Sequence, residues 1–353
     1  MSMTRANKSW WFSLKHKHIA RAQGRRSRPR LQVEQLEGRD LPAPLTWAAG
    51  VNLPTARGGV VAVSQGDIFV LGGTTTNVTH VTAADPTWQA AVGPEPAVDM
   101  ARVSPGAGIA PNGLYLIFGG RGNGSALSSA ELYNVSGAPD SEPPINQSVS
   151  PMNYSRVLFG SATDENHLIY AIGGIGSSSN GGDGGGGTDA PLSSVEYYTQ
   201  STDTWTSVAS LPQTLYSESA ISDGSGHLFT FGGVGASGNI TSTVYRYTIS
   251  TNTWDTVASM PIAVRDSDAV LANGKIYVLG GVTGTGTTAA VESYNETTNT
   301  WTTETSLPAP VSSAAAAVDS LGRIEVLGGF DANGKPTAAV SISQELSLSL
   351  IHI

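Results

Sequence analysis

A chain of 353 residues with 39% apolar residues can bury a large core, and 42 glycines with only 13% charged residues suit many short strands joined by turns rather than helices. It contains no cysteine, which removes disulfides, thiolate metal sites and cysteine nucleophiles together. The net charge of −9 divides unevenly: residues 1–43 carry ten Lys/Arg against three Asp/Glu and the rest carries nine against 25, so an acidic body lacks the clustered Lys and Arg that binding a nucleic acid requires.

The head, residues 1–44, has Trp10-Trp11-Phe12 as its longest strongly apolar run, shorter than the ~7–15-residue core of an ordinary secretory signal. No stretch of the chain reads as a transmembrane span. The basic run from Arg21 to Arg30 reads as a solvated, unstructured tail. It leads into Leu36-Glu37-Gly38-Arg39-Asp40-Leu41, which resembles a Leu-Glu-x-Arg-x-Leu motif near the N-terminus of large exported bacterial proteins. That resemblance implies an exported or cell-surface location, with a cytoplasmic one as the alternative. Contact of the tail with nucleic acid or anionic lipid is a further reading.

From Leu45 the chain repeats. A diglycine closes an apolar run at Gly72-Gly73, Gly119-Gly120, Gly173-Gly174, Gly232-Gly233, Gly280-Gly281 and Gly328-Gly329, at spacings of 47, 54, 59, 48 and 48 residues. Tyr198 precedes Trp205 by seven residues, as Tyr247 precedes Trp254 and Tyr294 precedes Trp301. Each of these tryptophans, and Trp47 upstream, is followed seven residues later by the proline of a Leu-Pro or Met-Pro pair: Pro54, Pro212, Pro261 and Pro308. Apolar run, Gly-Gly, Glu-x-Tyr, Trp and Leu/Met-Pro at a period of roughly 50 residues resemble the kelch repeat over residues 44 to about 343. The resemblance implies an all-β, six-bladed kelch-type β-propeller occupying residues 45–353.

Within each repeat a β-branched run such as Ser267-Asp268-Ala269-Val270-Leu271 crosses a turn such as Asn273-Gly274 into the run before the diglycine, which reads as a hairpin. A third strand carries Glu-x-Tyr and a fourth carries Trp, whose apolar surface can fill the wedge between blades. The copies differ. Repeat 1 has Val81 in place of the tyrosine, repeat 2 has Glu131-Leu132-Tyr133 but no following Trp, and repeat 4 has Tyr245 in place of the glutamate. Repeat 3 carries an insertion in which seven of the twelve residues from Gly176 to Gly187 are glycine. It lacks the Lys-Ser/Thr ending of a phosphate loop and reads as a flexible linker. Seven Asn-x-Ser/Thr sequons in the body, including Asn77, Asn239 and Asn295, accord with a Thr/Ser/Asn-rich turn composition. The sixth repeat lacks a Trp while Trp47 stands alone before the first, so residues 45–52 are expected to supply its outermost strand and close the ring. Leu346–Leu350 compete for that place.

Chemistry-bearing constellations are sparse. The six histidines show no zinc-site spacing, and His167 and His227 read as solvated strand starts. Galactose-oxidase-like propellers need a tyrosine cross-linked to a cysteine at copper, which this chain cannot form, so neither a metal nor another cofactor is expected. Arg57, Arg102, Arg156 and Arg265 lie 15, 17, 17 and 15 residues before the first glycine of their diglycines. By resemblance to kelch substrate adaptors, whose arginines line the central channel, they are the candidate ligand-binding residues of a funnel. The competing reading pairs each arginine with an acidic side chain of a neighbouring blade. A non-enzymatic binding or scaffold module for a protein, acidic peptide or glycan is the expected function. The alternative is a carbohydrate-active enzyme of the sialic-acid epimerase or mutarotase type, for which Asp266 and Asp268 are candidate acid/base groups.

Overall fold

The computed structural model describes residues 45–64, 67–73, 79–81, 87–90, 101–133, 146–177 and 189–344. The head with its Leu36–Leu41 motif, the body of the glycine-rich insertion and the competing segment Leu346–Leu350 lie outside them. The described residues are all β apart from one short 3-10 turn, and they form six four-stranded antiparallel sheets. Sheet 1 runs Val60–Ser64, Ile68–Gly72, Thr79–Val81, Gln89–Ala90. Sheet 2 runs Gly106–Ile109, Tyr115–Phe118, Ala130–Tyr133, Asn146–Val149. Sheet 3 runs Gly160–Thr163, Ile169–Ile172, Val195–Thr199, Thr204–Val208. Sheet 4 runs Ser219–Ser222, His227–Phe231, Val244–Thr248, Thr253–Val257. Sheet 5 runs Asp268–Ala272, Lys275–Leu279, Val291–Asn295, Thr300–Thr303. Sheet 6 runs Ala315–Val318, Ile324–Leu327, Val340–Gln344, and its fourth strand is Thr46–Ala49, with Trp47 opposite Ser343.

This is a β-propeller. The inner strand of each sheet packs on that of the next, and Ala315–Val318 packs on Val60–Ser64. The apolar core is accordingly divided among the seams. Six clusters of buried side chains each join two consecutive sheets, one of them joining Leu327 and Val340 of sheet 6 to Ile68 and Val70 of sheet 1.

The diglycines sit where one sheet meets the entry to the next. Gly232 has φ 62°, and a Cβ there would lie 2.1 Å from the Val264 carbonyl oxygen. Only glycine allows that approach. Its neighbour Gly233 then donates its N–H to the same carbonyl at 2.8 Å, and Gly120, Gly174, Gly281 and Gly329 do likewise to Arg156, Leu215, Val311 and Arg57.

At the rim, the seven-residue Tyr-to-Trp spacing acquires a physical meaning. The Tyr247 hydroxyl donates to Asn252 Oδ1 (2.7 Å), that oxygen also accepts the Ala209 N–H (2.8 Å), and Trp254 Nε1–H donates to the Ala209 carbonyl (2.9 Å). Sheet 4 thus grips both backbone groups of one residue leaving sheet 3. Tyr198, Asp203 and Trp205 hold Ser150 in the same way, and Tyr294, Asn299 and Trp301 hold Ala258. Asp203, Asn252 and Asn299 have φ of 50°, 53° and 52°, a left-handed turn that Asx residues tolerate better than most. Leu53, Leu211, Met260 and Leu307, the residues before the repeated prolines, are buried in the cores between sheets.

Candidate functional site

The four sequence-predicted arginines divide into two kinds. Arg156 is fully buried. Its Nε and Nη2 donate to Glu196 Oε1 at 3.2 and 3.0 Å, Nη1 to the carbonyls of Gly173 and Ser194 at 2.6 and 2.8 Å, and Nη2 also to Ser194 Oγ at 2.9 Å. Arg102 repeats the pattern with Glu131 Oε1, the carbonyls of Gly119 and Ser129, and Ser129 Oγ. The glutamate of Glu-x-Tyr is therefore the arginine's partner within the same sheet, rather than an acid of a neighbouring blade. Bonded on all three nitrogens, these two guanidiniums tie the sheet entry to the diglycine and the third strand. Arg57 is buried too and donates to Thr55 Oγ1 at 3.0 Å. In sheet 1, Thr79 pairs with Val70 as Glu131 pairs with Ile117, so a threonine stands where the other two sheets have glutamate.

Arg265 faces elsewhere. The carbonyls of Arg57, Arg156 and Val264 each accept the diglycine N–H, which puts Val264, not Arg265, in the strut position. In extended backbone a shift of one residue turns the side chain to the opposite side. Arg265 pairs with Asp266 and keeps 37% of its side chain exposed. The offset is hidden in the sequence because the inner hairpins differ in length: two residues turn the chain in sheet 5, between Ala272 and Lys275, and five in sheet 3, between Thr163 and Ile169.

Beside the strut positions, Gly59, Ser104, Leu158, Ser217, Asp266 and Ser313 all have φ between 46° and 64°. They form a belt: Ser104 N–H donates to the Gly59 carbonyl, Ser217 to Leu158, Asp266 to Ser217, Ser313 to Asp266 and Gly59 to Ser313, at 2.8–3.0 Å. Five of these six are not glycine, and for Ser217, Asp266 and Ser313 hydrogen bonds to both neighbours offset the cost of the left-handed backbone. The belt rims a mouth of about 110 Å³ lined also by Phe159, Ser161, Glu218, Ser267 and Asp268. None of the four arginines is among its lining residues, so the mouth has carboxyl and hydroxyl groups rather than a cationic ring.

The mouth's buried acids have structural partners. An innermost strand exposes a free backbone edge, and side chains of a neighbouring sheet cap it. Gly160 N–H donates to Glu218 Oε1 (3.2 Å) and Ala316 N–H to Asp268 Oδ2 (2.6 Å), while the Ala107 and Ile109 amides reach Ser161 Oγ and Thr163 Oγ1 at 3.4 Å. Burial raises Glu218 to about 8 against the opposing pull of two backbone N–H groups and the Arg156 charge, and Glu218 Oε2 is buried without a protein partner. Burial likewise raises Asp268 to about 7, opposed by the amides of Ala269 and Ala316. Of the two acid/base candidates, Asp266 is thus engaged by Arg265 and Asp268 caps a strand. Beyond the belt the channel widens to about 280 Å³ between small and apolar side chains such as Ala62, Gly108, Ala162 and Ala317.

The family described as the KLHDC2/KLHL20/DRC7 Kelch-repeats domain matches residues 165–342, half of the chain. No protein of curated function matches it.

Proposed function

Because the chain belongs to the kelch-repeat family, we propose that it is a non-enzymatic scaffold that holds a protein partner on the mouth face of a six-bladed ring closed by its N-terminal strand. The observation that carries the reading is the division of labour on that face. Arg102 and Arg156 are engaged in holding their sheets, whereas Arg265, Ser104, Ser313 and residues such as Arg121, Ser125 and Gly286 of the short ribbons after the diglycines are not buried. Those ribbons pair Arg121–Gly122 with Ser125–Ala126, Ile175–Gly176 with Ala190–Pro191, and Val282–Thr283 with Gly286–Thr287. Loops of unequal length on a rigid frame are where binding specificity can vary without cost to the fold. Arg265 is the one of the four candidate arginines that we assign to ligand contact.

Selection of a displayed peptide library on the purified protein tests the scaffold reading. Arg265→Glu should weaken the selected binders at least about tenfold, ~1.4 kcal/mol, with Tm unchanged. Leu321→Ser, in the hairpin at the opposite end of sheet 6, should have no effect. Failure to enrich any binder, or sensitivity to Leu321→Ser alone, would count against it. Ring closure rests on the pairing of Ala49 with Ser341 and the shared core of sheets 6 and 1. In this cysteine-free chain, Ala49→Cys with Ser341→Cys should oxidise to an intramolecular disulfide, and a double variant that stays reduced would refute closure. From the motif resemblance alone we further propose that residues 1–44 direct export, to be tested by fusing them to a reporter.

A further inference from the structure

One cluster of titratable side chains lies outside both the mouth and the strut positions. Asp223 and His227 come from the hairpin of sheet 4, and Glu296 comes from the turn joining the last two strands of sheet 5. His227 Nδ1 lies 2.8 Å from Asp223 Oδ2 and 3.4 Å from Glu296 Oε1, and all three donor atoms fall within 4.8 Å of one another. We propose that Asp223 Oδ2, His227 Nδ1 and Glu296 Oε1 bind a divalent transition-metal ion of the zinc type that clips sheet 4 to sheet 5.

An ion ~2.0–2.2 Å from each donor in a tetrahedral site places the donors roughly 3.3–3.5 Å apart, which the His227–Glu296 separation of 3.4 Å meets and which the His227–Asp223 pair reaches by opening from its 2.8 Å hydrogen bond. Asp223 is held for it: Oδ1 accepts the N–H groups of Ser225 and His227 at 2.7 and 3.0 Å, and Oδ2 accepts the Ser225 hydroxyl at 2.6 Å. Such support from a second layer orients a ligand before the metal arrives. The imidazole lies edge-on to Phe229, with ring centroids 6.4 Å apart. Three half-buried residues leave an open side for water as a further ligand. The two carboxylates also need a cation between them. Arg246 comes no nearer to Glu296 Oε1 than 4.0 Å and leans towards Asp255 at 3.7 Å, so it lowers the local charge without filling the gap.

The sister turns make the contrast. In sheet 6 the residue at the His227 position is Arg323, whose Nε donates to Asp319 Oδ2 at 2.7 Å, and in sheet 3 it is Leu168 below Asp164. The residues at the Glu296 position in sheets 3 and 4 are Gln200 and Ile249. Only at the seam of sheets 4 and 5, among these described turns, do an imidazole and two carboxylates meet. One nitrogen and two oxygens with an open position favour zinc, cobalt or nickel over calcium or magnesium.

The full chain, stripped with a chelator, is titrated with Zn²⁺ by calorimetry and with Co²⁺ by visible absorption at pH 7.5, and its Tm is followed. One equivalent should bind and raise Tm. Affinity should fall at least about tenfold in Glu296→Gln and His227→Arg, and should weaken at pH 5.5 as protons compete for the ligands. His227→Arg reproduces the Asp319–Arg323 pair of sheet 6, so it keeps the fold while removing the donor nitrogen. Absence of saturable binding, equal uptake by His227→Arg, or binding of Mg²⁺ as tight as that of Zn²⁺ would overturn the proposal and leave His227 as the cation of an ion pair.

Discussion

The seams between sheets 2 and 3, 3 and 4, and 4 and 5 differ from the seam between sheets 1 and 2. In the first three a tryptophan and an Asx residue grip one backbone residue of the preceding sheet, and aromatic rings meet across the gap, as Trp205 meets Phe118 at 5.2 Å and Trp301 meets Phe231 at 5.8 Å. The seam of sheets 1 and 2 is filled by Val63, Phe69, Leu71, Ala107, Tyr115, Ile117 and Tyr133 without a tryptophan, because the fourth strand of sheet 2, Asn146–Val149, has none. At the hub, Arg102 and Arg156 grip a glutamate and Arg57 faces a sheet with Thr79 instead. One repeated fold is therefore held by unequal sets of bonds. The tryptophan missing from repeat 2 is a residue that joins neighbouring sheets elsewhere, whereas the glutamate missing from repeat 1 acts within its own sheet.

The largest expected effect lies at the buried ion pairs. Arg156→Ala or Glu196→Ala strands a buried charge and should cost roughly 3–5 kcal/mol in urea unfolding. Glu218 is next, as a weak point inside the stronger half. It fills the inter-sheet position occupied by Pro105 and Phe159 in sheets 2 and 3, where apolar groups cover the diglycine. Folded Glu218 titrates near 8, against an ordinary 4.5, so its contribution to stability is complete below pH 4.5 and is lost as pH rises through 8. Glu218→Gln should be nearly neutral at pH 4 and stabilising by up to about 4 kcal/mol at pH 9. A pH-stability curve unchanged by the substitution would show that the carboxyl is solvated.

At the rim, Trp254→Ala should cost roughly 3 kcal/mol. Trp254→Phe, which keeps an aromatic ring but loses the bond to the Ala209 carbonyl, should cost about 1 kcal/mol. Thermal melts of both variants would separate ring packing from the clamp. The smallest effect is expected for removal of residues 1–43, within about 0.5 kcal/mol of the parent. Extending the deletion through Ala49 removes the fourth strand of sheet 6 and should be severe.

Much of this frame was legible in the chain. Diglycine spacing marks the repeats because the backbone approach at Gly232 admits no Cβ, and the Tyr–Trp interval is fixed by the length of one hairpin. The partner of the buried arginines was legible only in part, since Glu-x-Tyr and the arginines were both visible but their contact within one sheet was not. Arg265 was misplaced by counting from the diglycine across hairpins of different length. The clamp had a signal, an Asp or Asn two residues before each of Trp205, Trp254 and Trp301, but it passed as turn composition. The burial of Glu218 and Asp268, and the meeting of His227 with Glu296, depend on how neighbouring repeats pack. No local pattern carries them.

Native-state hydrogen exchange resolved by residue measures the seams most directly, since it reports the free energy at which each strand opens. The account predicts that Val195–Thr199 and Val244–Thr248, clamped on both flanks, exchange together at the slowest rate. Ile68–Gly72 should open at least about tenfold more readily, ~1.4 kcal/mol below them. Protection in Ile68–Gly72 equal to or greater than that in Val244–Thr248 would contradict it.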